Sequence, residues 1–309
     1  MTEDTHIERA IAVVTESLGD GARAPVVQGF FHEPSFTASY VVSDPLTRRA
    51  AIIDSVWDFD QPSGRASFES ADKIIAYVRE RDLTVDWILE THAHADHLSA
   101  APYLQEKLGG KLAIGAEIVT VQGVFGKVFN EGTDFARDGS QFDRLLSDGE
   151  ILAVGEIPLI ALHVPGHTPA DLAYVVGDAA FVGDTMFMPD YGSARTDFPG
   201  GDAAKLYRSV RRLMRLPDAT RVFLCHDYMA PNRDAFVWET TMLAERTGNV
   251  HLRDGVTEDD FVKMRNARDA TLEMPRLILP SIQVNMRGGH LPPPEDNGLS
   301  YLKLPVNAL

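Results

Sequence analysis

The sequence predicts a mixed α/β or α+β fold in which helices cover the faces of β-sheets. Three observations predict it. Alternating and β-branched apolar runs open the chain as a meander, apolar runs later alternate with amphipathic stretches, and the composition is that of a packed protein. The 309 residues are 44% apolar and 24% charged, close to globular norms, which excludes a disordered tail protein. With 29 basic against 45 acidic side chains, the net charge of −16 repels phosphate and argues against nucleic acid or anionic membrane as partners. The densest basic stretch, Arg208, Arg211, Arg212 and Arg215, has helical spacing and is expected to form one solvated face. Cys225 is the single cysteine, so a disulfide framework or Cys-rich zinc site is excluded. No apolar run approaches the roughly 20 residues of a membrane span, and no secretory pattern opens the chain. A cytoplasmic location is the expectation.

Taken in order, Ile7, Ala10, Ile11, Val14 and Leu18 predict an amphipathic helix over 6–18. PVVQGFFHE, FTASYVVSD and RRAAIIDSV predict three strands, with turn chemistry at Ser43-Asp44-Pro45. DFDQPSGRASFES is polar and broken by Gly and Pro, so a loop is expected before the helix ADKIIAYVRERD. VDWILETH predicts a strand, SAAPYLQEKLGG a helix ended by Gly109-Gly110, and KLAIGA a strand. Residues 121–143 are expected to form a long irregular connection. ILAVGEIPLIALHVPGH, DLAYVVGDAAFVGDT and TRVFLCHD predict further strands, with a hairpin turn at Gly177-Asp178 and the helix AKLYRSVRRLMRLPD among them. Beyond residue 250 come a polar helix, EDDFVKMRNARDA, and a proline-punctuated tail. The expected division is an N-terminal helix (1–24), a main domain (25–245), and a C-terminal helix and extended tail packed on it (246–309).

The chemistry gathers at the ends of apolar runs. THAHADH supplies His92, His94, Asp96 and His97; VPGHT supplies His167, VGDT Asp184, and LCHDY His226. One sheet edge could carry them all, where open α/β sheets place their sites. On a strand end, His92 and His94 would share a face, with Asp96 and His97 on the following turn. Imidazole and carboxylate suit zinc, iron or manganese, and the lack of thiolates disfavours a closed structural zinc site. This is a strong signal for a metal site.

THAHADH, VPGHT, GDT and CHDY, in this order and spacing, resemble the metallo-β-lactamase superfamily over about residues 25–245. The resemblance implies a four-layer αββα sandwich with the site at the shared edge of two sheets, here with a C-terminal extension. PDYGSARTDFPGGDAAKLYRSV is similar to the RTDF segment of the persulfide dioxygenase (sulfur dioxygenase) branch, and QVNMRGG to that branch's Asn-Met-Arg stretch. The tail through LPVNAL resembles the bacterial β-lactamase hydrolase-like proteins.

The branch implies one Fe(II) per chain held by His92, His167 and Asp184, with His94, Asp96, His97 and His226 as outer-shell or second-metal residues. All seven positions of two-metal relatives are filled, so two zinc ions remain the alternative. The implied reaction oxidises glutathione persulfide with O₂ and water to sulfite and glutathione. A glyoxalase II-like binuclear thioester hydrolase is the nearest alternative, and a non-catalytic persulfide sensor a second. Arg195 and Tyr228 correspond to positions near the glutathione moiety, and Arg287 to one that fixes a carboxylate or a loop. Against these stand an Arg195 pair with Asp197 or Asp190, a Tyr228 hydroxyl satisfied by backbone, and a structural Arg287. His163 is expected to be a satisfied core histidine, Cys225 an inert thiol turned away from His226, and Asp54 a brace for backbone N–H groups. The thiol carrier, homodimerisation and supply by a rhodanese-type sulfurtransferase stay open.

Overall fold

The computed structural model describes residues 3–21 and 24–308. Helix α1 (Glu3–Gly19) precedes a meander of β1 (Val26–His32), β2 (Thr37–Ser43) and β3 (Arg49–Ile53). The hairpin β4 (Val56–Asp60) and β5 (Arg65–Ser67) leads into α2 (Glu69–Glu80), and β6 (Thr84–Leu89) returns parallel to β3. After a histidine-rich loop come β7 (Leu98–Ser99), α3 (Ala101–Leu108), β8 (Lys111–Gly115), α4 (Ile118–Val128) and β9 (Arg144–Leu146). The second half holds β10 (Ile151–Val154), β11 (Ile157–His163), β12 (Leu172–Val176), β13 (Ala179–Phe181), α5 (Ala203–Leu213), β14 (Arg221–Phe223) and β15 (Glu239–Thr241). Helices α6 (Met242–Gly248), α7 (Glu258–Asp269) and α8 (Ile278–Asn285) follow.

One six-stranded sheet has the order β1-β2-β3-β6-β8-β9, the other runs β10 to β15 in sequence order, and β5-β4-β7 form a small third sheet. Strand alternation divides the side chains among three cores. Tyr40, Val42 and Ile53 point inward to meet Leu159, Tyr174 and Val176 of the facing sheet. Val41, Ile52 and Ile88 point outward onto Ile74 of α2 and Leu104 of α3. Ile160, Leu162 and Val175 pack outward on Val14 of α1, Leu206 of α5 and Phe261 of α7. Three cores between four layers make an αββα sandwich. Among the described residues no helix is long and apolar enough to cross a membrane.

Several expectations are corrected. The DFDQPSGRASFES stretch is not a loop but the β4–β5 hairpin, turning at Gly64 with φ +67°. Residues 121–143 are not irregular throughout, because α4 buries Val121 and Phe125, and Phe129 follows at its C-cap. The tail is not simply extended, since α8 sinks Ile278, Ile282 and Met286 into the core of the first sheet. The α5 arginines are not a free solvated face: Arg208 pairs with Glu258, Arg211 with Asp254, Arg212 with Asp148 and Arg215 with Asp4. They tie α5 to its neighbours.

One close approach bears on the site. Gly166 has φ +149°, and a Cβ there would lie 2.3 Å from the Cα and N of Leu206. Helix α5 is fixed at that end by Asp202, whose carboxylate accepts from Lys205 N at 2.9 Å. Gly166→Ala must therefore push backbone from backbone, beside His167. We expect a loss of about 1–3 kcal/mol, measurable by denaturant unfolding, together with weaker metal retention.

Candidate metal centre

The seven predicted residues meet at one end of the sandwich, on loops that leave both sheets. His92, His94, Asp96 and His97 lie on the loop between β6 and β7; His167 follows β11, Asp184 follows β13 and His226 follows β14. The sequence predicts His92 and His94 as alternate residues at a strand end, but β6 stops at Leu89 and neither lies on a strand. A loop aims them.

Asp184 stands at the middle. Its Oδ2 is 3.5 Å from His167 Nε2 and 3.9 Å from His92 Nε2, while its Oδ1 is 3.3 Å from His226 Nε2. Asp96 Oδ2 is 3.2 Å from the same His226 nitrogen, and Asp96 Oδ1 is 3.5 Å from His97 Nδ1. The ligand atoms of His92, His167 and Asp184 all lie within 4.8 Å of one another, as do those of His94, Asp96 and His97. His92 Nε2, His94 Nδ1, Asp96 Oδ2, His97 Nε2, Asp184 Oδ1 and His226 Nε2 are buried without a hydrogen-bond partner. Buried polar atoms are rarely left so. Ligand atoms converging from six side chains fit one or two metal ions.

The loop is held from below and behind. Asp54, left-handed at φ +52°, accepts from Thr91 N at 2.7 Å, Thr91 Oγ1 at 2.8 Å and His94 Nε2 at 3.0 Å. It thus braces backbone N–H, as anticipated, and orients His94 as well. Glu90 adds Oε2 at 3.4 Å from His94 Nε2. Asn285 of α8 accepts from Ser99 N at 2.8 Å and donates to the carbonyls of His94 and His97, each at 2.8 Å. Sequence reasoning missed Asn285. Its signal lay in QVNMRGG, two residues before Arg287. His167 Nδ1 donates to Arg195 O at 2.8 Å, which leaves Nε2 for Asp184 and a metal.

Burial, then the surrounding imidazoles, hold His92 well below the ordinary histidine range. Burial and His94 likewise push His97 down to about 4, although Asp96 pulls the other way. Both are therefore neutral lone-pair donors near pH 7. At His226 burial is overcome by the Asp184 and Asp96 carboxylates, and at His94 by Asp54, so both are held well above that range. For Asp96 burial is outweighed by His226 and His97, and its carboxyl stays ionised.

The other named residues divide. Tyr228 lines a cavity of about 400 Å³ with His167, Asp184 and Arg195. Its ring lies 5.5 Å from that of His226. Arg195 also lines the cavity, but its guanidinium is committed to Asp197, at 2.6 and 2.7 Å, and to Glu273 O at 2.7 Å. Asp190 pairs with Arg233 instead. Arg287 is not brought to the cavity. It pairs with Glu131 at 2.6 Å, donates to Gln283 O at 2.7 Å and lies 4.5 Å over the Phe135 ring, so it fixes a loop behind α8. His163 is satisfied by Pro169 O at 2.8 Å. Cys225 is buried but does not turn away: its Sγ lies within 4.8 Å of ligand atoms of both His94 and His226. Strand β14 ends at Phe223, so its alternation does not extend to residues 225 and 226.

The model of the metallo-beta-lactamase superfamily matches residues 32–226, the span from the end of β1 to the last histidine of the centre. The chain belongs to the metallo-β-lactamase superfamily. Within the superfamily it is 57% identical to a probable metallo-hydrolase of Burkholderia pseudomallei (strain 1710b), over 92% of this chain and 99% of that one. It is 48% identical to glyoxylase B2 of Dictyostelium discoideum, over 89% and 94%. It is 30% identical to the mitochondrial persulfide dioxygenase ETHE1 of Bos taurus, over 89% and 93%. The crystal structure of ETHE1 from Myxococcus xanthus superposes with a TM-score of 0.67 at 28% identity, covering 86% of this chain and 100% of that one. The expected superfamily and its sandwich are both met.

Proposed function

We propose that this superfamily member is a persulfide dioxygenase with one Fe(II) at His92, His167 and Asp184. The observation that carries the reading is the wall of the cavity. His167 and Asp184 open onto a chamber bounded by Ser193, Ala194, Arg195 and Phe198, in and around the RTDF segment, and the carbonyl of Arg195 itself orients His167. The likeness to ETHE1 proteins in sequence and structure supports it. The reaction proposed is RSSH + O₂ + H₂O → RSH + SO₃²⁻ + 2H⁺, with glutathione persulfide as RSSH.

His92, His167 and Asp184 would hold iron(II), which would supply the redox chemistry that O₂ and a persulfide require. The protein's own part is placement. His92 and His167 present Nε2, with His167 Nδ1 held by Arg195 O, and Asp184 adds a carboxylate. Phe187, Phe198 and the Tyr228 ring make the chamber apolar beside the ligands, which suits a persulfide sulfur and restricts water.

A second reading rests on the complete other half. His94, Asp96, His97 and His226 also keep buried ligand atoms without a hydrogen-bond partner, as a binuclear thioester hydrolase needs, and the glyoxylase B2 relative favours it. Reaction stoichiometry separates the two. The iron(II) protein given glutathione persulfide is expected to consume O₂ as sulfite forms, with both stopping under nitrogen, and to cleave S-lactoylglutathione slowly. Fast anaerobic thioester cleavage with no oxygen uptake on persulfide would overturn the proposal in favour of the hydrolase.

A further inference from the structure

The turn between β1 and β2 carries a hydrogen-bonded chain that leads from a surface groove into the metal centre. His32 Nδ1 is 2.7 Å from Ser35 Oγ, and Ser35 Oγ is 2.8 Å from Thr37 Oγ1. Thr37 Oγ1 in turn lies 3.4 Å from Nδ1 of both His97 and His226. At the outer end, His32 Nε2 is 3.4 Å from Asp58 Oδ1. Ser35 and Thr37 are buried, and the His32 side chain is only 15% exposed. The backbone supports this geometry. Glu33–Ser35 form a 3-10 turn, Phe36 is left-handed at φ +56°, and Thr37 makes a β-bridge with His226.

The proton positions follow from groups that can only accept. Phe36 O lies 3.2 Å from His226 Nδ1, so that nitrogen carries the hydrogen. The Asp96 carboxylate, 3.5 Å from His97 Nδ1, favours the same arrangement there. Both rings then offer N–H to the Thr37 hydroxyl. Thr37 donates to Ser35, Ser35 donates to His32 Nδ1, and His32 Nε2–H faces Asp58. Every link has one donor and one acceptor. The consequence lies on the other side of the two rings, where His97 Nε2 and His226 Nε2, with no hydrogen-bond partner, are aimed into the centre and are the atoms left for a metal.

We infer that His32, Ser35 and Thr37 are positioning residues that fix the tautomer and aim of His97 and His226, and so build the second half of the metal site from outside. The inference goes beyond the proposed reaction and holds whether one metal or two is bound, because it concerns the two rings themselves. Thr37 should matter most. His226 keeps Phe36 O when Thr37 is lost, whereas His97 keeps only the longer contact with Asp96.

Two measurements test it, on the metal-free protein and on the zinc-loaded protein. Side-chain ¹H–¹⁵N correlation spectra of the metal-free wild type are expected to show a hydrogen on Nδ1 of both His97 and His226. In Thr37→Val the His97 N–H should exchange faster with water while that of His226 persists, and Thr37→Ser should restore it. Chelator competition on zinc-loaded protein should show the second zinc equivalent weakened by about 10–100-fold in Thr37→Val, and less in His32→Ala, with the first unchanged. His32→Ala lies near the surface and keeps the test open if Thr37→Val folds poorly. A hydrogen on Nε2 with none on Nδ1 at either ring in the wild type would overturn the inference. So would unchanged His97 signals in both variants, or equal weakening of both zinc equivalents. If wild type takes up a single zinc, the spectra alone decide.

Discussion

Alanine in place of His92, His167 or Asp184 is expected to remove bound metal and activity together. These three side chains point their ligand atoms into a common space within 4.8 Å, and each is buried, so no mobile neighbour can substitute for a lost one. Activity should fall well beyond the roughly 10–100-fold that loss of an outer-shell partner costs. Thermal unfolding supplies an independent readout. Metal bound more tightly by the folded state than by the denatured chain raises Tm by mass action, so the rise on loading should vanish in the variants. His97→Ala and His226→Ala should instead keep most of the iron while activity drops by about 10–100-fold. Stoichiometric iron with normal turnover in any of the first three would refute the ligand assignment. Loss of half of a two-metal load in both of the latter would refute a single iron.

The other large effect is expected at Asp54, which touches no proposed iron ligand. Burial would raise its pKa, but the His94 imidazole and the bonds from His94 and Thr91 hold the carboxyl below its ordinary value. Asp54→Ala leaves Thr91 N–H without its acceptor and His94 Nε2 with only the longer contact to Glu90, in a site that is 2% exposed. Breaking such a buried pair from one side costs about 3–5 kcal/mol. Asp54→Asn should cost less, because its amide oxygen can still accept from Thr91 N. Urea denaturation ranks the two, and metal analysis should show the 90–97 loop losing its ion in the alanine variant first. Equal stability of wild type and Asp54→Ala would show that the brace is dispensable.

Much of this was legible in the chain, for identifiable reasons. The two sheets show in runs such as Tyr40–Val42 and Leu159–Leu162, whose alternate residues face different cores. The metal residues show by chemistry, since only imidazoles and carboxylates recur at the ends of those runs. Helix α4 was hidden by Gly123 and Gly126 and by its valines, yet Val121, Phe125 and Phe129 form an i, i+4 seam. Helix α8 was hidden by Pro280, which lies in its first turn, where no N–H donor is required. The fates of Arg195 and Arg287 could not be read locally. Charge partners depend on tertiary placement, and Glu131 reaches Arg287 from a distant part of the chain. Cys225 was misjudged because a strand rule was carried past the end of a strand.

The THAHADH loop also shapes what happens when the protein is not folded. Residues 92–97 keep three imidazoles and a carboxylate together in any conformation, whereas His167, Asp184 and His226 join them only once both sheets have closed. The denatured chain therefore retains a short chelating segment of its own and competes with the native state for the same ion. Such competition reduces the stability that loading confers, below what the native affinity alone would give. It also gives a newly made chain a means of catching metal early, with the native centre finished around an ion already in hand.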